Sequence, residues 1–248
     1  MNDSIRKYFY EDDTKITLVK VDEVCNKVAE MQKISRKGDF LAICNVICFS
    51  AALSSQIKQS DSYITIKIKN AHTGIAYSAT AFGDGRVCGF TEKTSEEITQ
   101  QKNRSFILEA VRKSDMGGEY KSVVMGNSMH GAINAYISES MQRSAKWKCV
   151  RIGTTTVGVF AEDIPGTHKL NSAWKHVSKY LSSSDENIFE SDKFRILEEE
   201  PLSFGCKCTK RSVKRVLASL PEEERLSLGK TTEVVCKFCG KKYVIEND

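Results

Sequence analysis

An α+β fold is predicted by three features of this 248-residue chain: segments with apolar residues at every second position, intervening segments with apolar residues at helical spacing, and glycine-bearing turns between neighbouring strands. The composition, 40% hydrophobic and 28% charged with 3 prolines, excludes collagen-like, low-complexity and wholly disordered chains. The net charge of +5 argues for solubility rather than for nucleic-acid binding.

Residues 14–21, Thr-Lys-Ile-Thr-Leu-Val-Lys-Val, suit a half-buried strand, and Val21, Val24, Cys25, Val28 and Met31 then recur at helical spacing. Residues 39–57 are apolar on most faces and predict a central buried helix with Asp39 as its N-cap. The sheet is expected at 62–69, where Ile64, Ile66 and Ile68 alternate with polar residues, at 74–82, and at 86–91 after Gly83-Asp84-Gly85. Segments 105–112 and 120–125 are further strand candidates, the first with a helical alternative. A helix at 132–143 and a hairpin at 147–160, broken at Gly153, complete a first domain over 1–165.

After Pro165-Gly166 a short helix is expected at 170–181, then a serine-rich loop. Residues 182–203 hold seven acidic and two basic residues, net −5, whereas 206–248 hold ten basic and six acidic, net +4. A linker and a tail of opposite sign suggest salt-sensitive docking of one on the other, with two independently solvated faces as the alternative. The acidic start, Glu11-Asp12-Asp13, differs from a secretory or transit signal, and the longest apolar run, 40–53, is too short and too interrupted to cross a bilayer. A cytoplasmic protein without a membrane span is the expectation.

Nine cysteines, an odd number without an export signal, argue against a fixed disulfide framework. Cys25, Cys44, Cys48, Cys88 and Cys149 stand singly in apolar surroundings and read as small buried hydrophobes; Cys44 and Cys48, one helical turn apart, could instead form a redox pair. The other four form two pairs, Cys206-x-Cys208 and Cys236-x-x-Cys239, separated by 27 residues. Two short pairs on one loop can converge four thiolates, which suits one tetrahedral, closed zinc site without direct metal catalysis. So short a tail buries little apolar surface, so metal binding should supply its folding free energy, on the order of 10–16 kcal/mol. The same thiolates are what oxidants attack. Disulfides Cys206–Cys208 and Cys236–Cys239 would eject the metal and unfold the tail. The second should close more readily, because Cys-x-Cys makes the tighter ring.

Phe204-x-Cys206-x-Cys208, the basic segment after it, Leu217-x-x-Leu220-Pro221-Glu222-Glu223-Glu224 and Cys236-x-Phe238-Cys239-x-x-x-Tyr243 resemble the zinc module of the redox-regulated heat shock protein 33 kDa family. Upstream, Ile5-Arg6-Lys7-Tyr8-Phe9, the Ile-rich strand, Arg86-Val87-Cys88-Gly89 and Tyr136-x-x-x-Ser140-Met141-Gln142 also line up. Departures mark a divergent member: Ala71-His72-Thr73-Gly74 replaces a Gly-Pro segment, Ser140-Met141-Gln142 a Ser-Glu-Gln triplet, and Cys88 a common arginine.

The resemblance implies a substrate-binding core over 1–165, an acidic helical, switchable linker over 166–203 and a small C-terminal redox-sensing four-cysteine zinc module over 204–248. It implies an ATP-independent holdase that binds unfolding client proteins under oxidative stress and forms a homodimer when oxidised. No Gly-x-x-x-x-Gly-Lys-Ser/Thr phosphate loop is present. Ile188, Phe189, Phe194, Ile196, Leu197 and Leu202 are candidate client contacts, or ordinary packing in the closed state.

Two other readings compete. A zinc-ribbon nucleic-acid binder would use Lys207, Lys210, Arg211, Lys214, Arg215, Lys237, Lys241 and Lys242, but Glu222–Glu224 lie in the same module. A thiol oxidoreductase would place its Cys-x-x-Cys early in a βαβ unit, not near the chain end. His72, His130, His168 and His176 match no triad spacing, so no catalytic residue is assigned and a non-enzymatic role is expected.

Overall fold

The computed structural model describes residues 3–57, 59, 61–93, 105–113 and 118–246, which divide into two compact units, 1–204 and 205–248. In chain order the elements are β1 (Ser4–Tyr10), β2 (Thr14–Val21), α1 (Glu23–Met31), α2 (Lys37–Ser54), β3 (Tyr63–Asn70), β4 (Ile75–Phe82) and β5 (Arg86–Lys93). There follow β6 (Phe106–Lys113), β7 (Glu119–Gly126), α3 (Met129–Ala135), a π-helical turn Tyr136–Ser140, β8 (Ala145–Ile152) and β9 (Thr155–Asp163). The chain continues with α4 (Leu170–Ser183), a 3-10 turn Glu186–Glu190, β10 (Phe194–Pro201), β11 (Ser203–Phe204), α5 (Lys210–Ala218), α6 (Glu222–Ser227), β12 (Thr231–Val235) and β13 (Lys242–Glu246).

The first unit holds a five-stranded antiparallel sheet, β10-β1-β2-β9-β8, and a six-stranded sheet, β11-β5-β4-β3-β6-β7, in which β11 alone runs parallel to its neighbour. Between them lies α2, packed on β3, β4 and β5 of one sheet and β2, β8 and β9 of the other. Its length and hydropathy match those of a membrane span. The apolar character has a different cause: a helix enclosed on nearly every side needs no polar stripe, and from Ile43 to Ser54 only Asn45 is not fully buried. Asn45 itself accepts the Trp147 indole N–H at 3.0 Å.

Alternation makes the five-stranded sheet two-faced. Phe160 joins the α2 layer, whereas Val157, Val159 and Ala161 face α4, whose Ala173, Val177, Tyr180 and Leu181 close a second core with Tyr8, Tyr10, Ile16 and Leu18. Asp3 ties the chain start to α1, accepting the N–H groups of Asp22, Glu23 and Val24 at 2.6, 3.1 and 2.7 Å.

The α+β class and the expected strands and helices are present, with corrections. The N-cap of α2 is Arg36, and Asp39 sits in the first turn, where it accepts the Tyr77 phenol at 2.6 Å. The helix expected at 132–143 ends at Ala135 and gives way to the π turn, anchored by the Ser140–Ser122 hydroxyl bond of 2.7 Å. Residues 194–201, expected in a helical linker, form a strand, because β1 offers a free edge and complementary charge. Arg6 meets Glu199 at 2.9 Å, and Lys7 meets Glu198 and Glu200 at 3.0 and 2.8 Å. The acidic run thus takes these cations from β1.

Candidate metal centre

The second unit builds its site from two short segments. Ahead of α5, Cys206 and Cys208 lie on extended chain that ends at Thr209, the N-cap, whose hydroxyl accepts the Ser212 N–H at 3.1 Å while Ser212 Oγ accepts the Thr209 N–H at 2.9 Å. Cys236 and Cys239 occupy the tight turn joining β12 to β13. There the Cys236 N–H donates to Lys241 O at 2.9 Å, the Gly240 N–H to Cys236 O at 2.8 Å, and Gly240 adopts φ of 67°, a conformation glycine reaches without strain.

The four sulfurs all lie within 4.8 Å of one another, and each residue is half-buried. Cys206 and Cys236 are 3.8 Å apart, Cys208 and Cys239 3.3 Å. A tetrahedral zinc with bonds of about 2.3 Å sets sulfur–sulfur edges of about 3.8 Å, so the donor set and spacing fit such an ion. The short contacts join one sulfur of each sequence pair to one of the other, as expected when both segments face a common centre.

Burial pushes the Cys239 thiol up to about 12 and raises that of Cys236. Burial acts the same way at Cys208, but hydrogen bonds from Tyr243 and the neighbouring thiols outweigh it and hold that pKa below the ordinary value. The Tyr243 phenol donates to Cys208 O at 2.9 Å and reaches Cys208 Sγ at 3.1 Å. Tyr243 was a fixed member of the cysteine motif in the sequence, yet its part in orienting a sulfur follows only from the hairpin that folds it back.

Around the sulfurs the core is small: Val213, Tyr243 and Ile245 are buried, with Leu217 and Val234 packed at the edge. Val216, Leu226, Val235 and Val244 stay exposed. Among the singly placed cysteines, Cys25, Cys44, Cys48 and Cys88 are buried as expected, whereas Cys149 is half-buried, because β8 is the edge strand of its sheet. Of the histidines, His72, His130 and His168 are exposed, and His176 packs on Tyr10 at 5.2 Å between ring centres.

The candidate client contacts divide. Phe189, Phe194 and Leu202 are buried; Phe189 stacks on Tyr8 at 4.8 Å and meets Phe194 at 5.1 Å. Ile196 and Leu197 are exposed, at 57% and 39%.

A family model described as Hsp33 protein matches residues 2–246. A 33 kDa chaperonin of Clostridium tetani is 23% identical over 261 residues, covering 91% of this chain and 88% of that protein. A 33 kDa chaperonin of Nitrosococcus oceani is 28% identical over 142 residues, covering 50% of this chain and 49% of that protein, and one of Streptococcus pyogenes is 34% identical over 91 residues, covering 35% and 30%. The chain thus spans about half or less of the length of these last two relatives. The crystal structure of a 33 kDa chaperonin, a heat shock protein 33 homolog from Thermotoga maritima, superposes with a TM-score of 0.75 at 16% identity, covering 100% of this chain and 96% of that one; the likeness is one of fold.

Proposed function

The chain belongs to the Hsp33 family, and from that premise we propose that it is a redox-regulated, ATP-independent chaperone of the cytoplasm, a holdase for unfolding proteins. The observation that carries this reading is the convergence of four sulfurs in a unit whose described residues bury three hydrophobic side chains. Cys206, Cys208, Cys236 and Cys239 would hold one zinc ion, which when bound keeps four thiolates together and supplies most of the tail's folding free energy.

Oxidation by peroxide removes two electrons per pair, forms Cys206–Cys208 and Cys236–Cys239 and reduces the peroxide to water. Ligands paired as disulfides no longer hold a metal, and the two very short loops they close restore little stability. The tail over 204–248 then unfolds, and the segment over 166–203 opens with it. That segment is a marginal element: β10 is an edge strand held to β1 by partly exposed ion pairs, each worth about 0–1 kcal/mol. Its release would uncover Tyr8 and Tyr10 together with Phe189 and Phe194, joining Ile196 and Leu197 in an apolar surface for clients of the 1–165 core. The oxidised form is expected to pair as a homodimer.

Light scattering from a thermally unfolding client tests the reading, with the protein added either reduced and zinc-loaded or after peroxide while released zinc is followed. Suppression confined to the oxidised form, in step with zinc release, is the expected result. Suppression by both forms alike, or by neither after full zinc loss, would overturn it.

A further inference from the structure

The first unit contains cysteines that the zinc-module reading does not use. On β8, Cys149 shares a face with Trp147, whose ring meets Phe49 of α2 at 5.1 Å between centres. Directly across the ladder from Cys149 is Gly158 of β9. A side chain at Gly158 would strike both Trp147 and Cys48, since its Cβ would lie 2.5 Å from the indole edge and 2.9 Å from Cys48 Cβ. The missing side chain therefore lets α2 settle on the sheet with Cys48 beside Cys149, near enough for the two thiols to interact.

The two sulfurs differ in access. Cys48 is fully buried, and burial raises its pKa well above that of a free thiol, so alone it is inert. Cys149 is half-buried on the edge strand, with Arg151 two residues further along the same face. A half-buried thiol backed by a fully buried one is the arrangement in which a sulfenic acid is captured before it oxidises further. Cys25 and Cys44 are both fully buried, with no half-buried member between them, and remain core residues.

We propose that Cys149 and Cys48 form a second peroxide-modifiable site, in which Cys149 is oxidised first and Cys48 resolves it into a disulfide joining β8 to α2. The Cys149 thiolate attacks one peroxide oxygen; an S–O bond forms, the O–O bond breaks and hydroxide leaves, taking up a proton to become water. The Cys48 sulfur then attacks the sulfenic sulfur; the S–S bond forms, the S–O bond breaks and the hydroxyl departs as water with the Cys48 proton. Two thiols and one hydrogen peroxide give one disulfide and two waters. This site is independent of the four tail cysteines, so it stands or falls separately from the holdase reading.

The test is peroxide titration of the full, zinc-loaded chain, followed by thiol blocking, tryptic digestion without reductant and mass mapping, with zinc release recorded on the same samples. Cleavage at Lys148 and Arg151 frees Cys149-Val150-Arg151, expected cross-linked to the peptide 38–58. The link should persist in Cys44→Ala and vanish in Cys48→Ala, where Cys149 should instead progress to the sulfinic acid. Circular dichroism of each variant separates loss of the link from loss of the fold. The proposal is overturned if Cys149 stays reduced while the tail oxidises, if it reaches the sulfinic acid unlinked in the wild-type chain, or if the link maps to Cys44 or to a second molecule.

Discussion

The two units are held together by different physics. In 1–204 a fully apolar helix is enclosed by two sheets, and Phe49 alone meets Tyr136, Trp147 and Phe160 at 6.1, 5.1 and 6.5 Å between ring centres. Among the described residues of 205–248 three hydrophobic side chains are buried and four half-buried cysteines occupy the middle. The first unit is stable by apolar burial and not by its thiols. The second gathers its most oxidisable groups, four cysteine sulfurs, at its centre, and a redox switch requires such a difference: one part that persists and one that fails on a chemical signal.

Removing the metal is the sharpest way to separate the units. A chelator, or Cys239→Ser, should abolish order in the tail, a loss on the order of 10 kcal/mol. Far-UV circular dichroism should retain the signal of the first unit, and zinc stoichiometry should fall to zero. Phe49→Ala should do the reverse, lowering the denaturant stability of the first unit by about 3–5 kcal/mol while zinc content stays unchanged. Gly158→Ala should cost the same unit about 1–3 kcal/mol, read as a lower urea midpoint, because the added carbon has no room between Trp147 and Cys48.

Tyr243→Phe sharpens the comparison within the tail. Losing the bond to Cys208 should weaken the site by about 1 kcal/mol, measured as faster zinc transfer to a competing chelator, with the first unit unaffected.

The smallest effect concerns the seam of β1 and β10. A hydrogen bond from Lys7 holds the Glu198 carboxyl below its usual value of 4.5. A carboxylate whose folded pKa is depressed stabilises above its unfolded pKa and loses that contribution as pH falls through the folded one. Protection of β10 amides should therefore drop between about pH 5 and pH 3, and Glu198→Gln should remove that dependence.

The alternating strands from β2 to β9 were legible in the sequence because each carries its burial pattern locally. The four-cysteine cluster was equally legible, since each pair is contiguous in the chain. What escaped is what depends on a distant partner. Residues 194–201 read as an acidic linker because Glu198, Glu199 and Glu200 resemble solvated charge until Arg6 and Lys7 are placed beside them. The approach of Cys48 to Cys149 required the register that sets Gly158 opposite Cys149, which no local pattern encodes.

The central claim is that oxidation unfolds the metal-dependent tail and frees β10 while the helix-centred core persists. Hydrogen-exchange mass spectrometry on the reduced, zinc-loaded chain and on the peroxide-treated chain tests it most directly. The account predicts loss of protection across 205–246 and β10 with α2, β3 and β4 unchanged. Protection retained in the tail after zinc is gone, or lost throughout α2 at the same time, would contradict it.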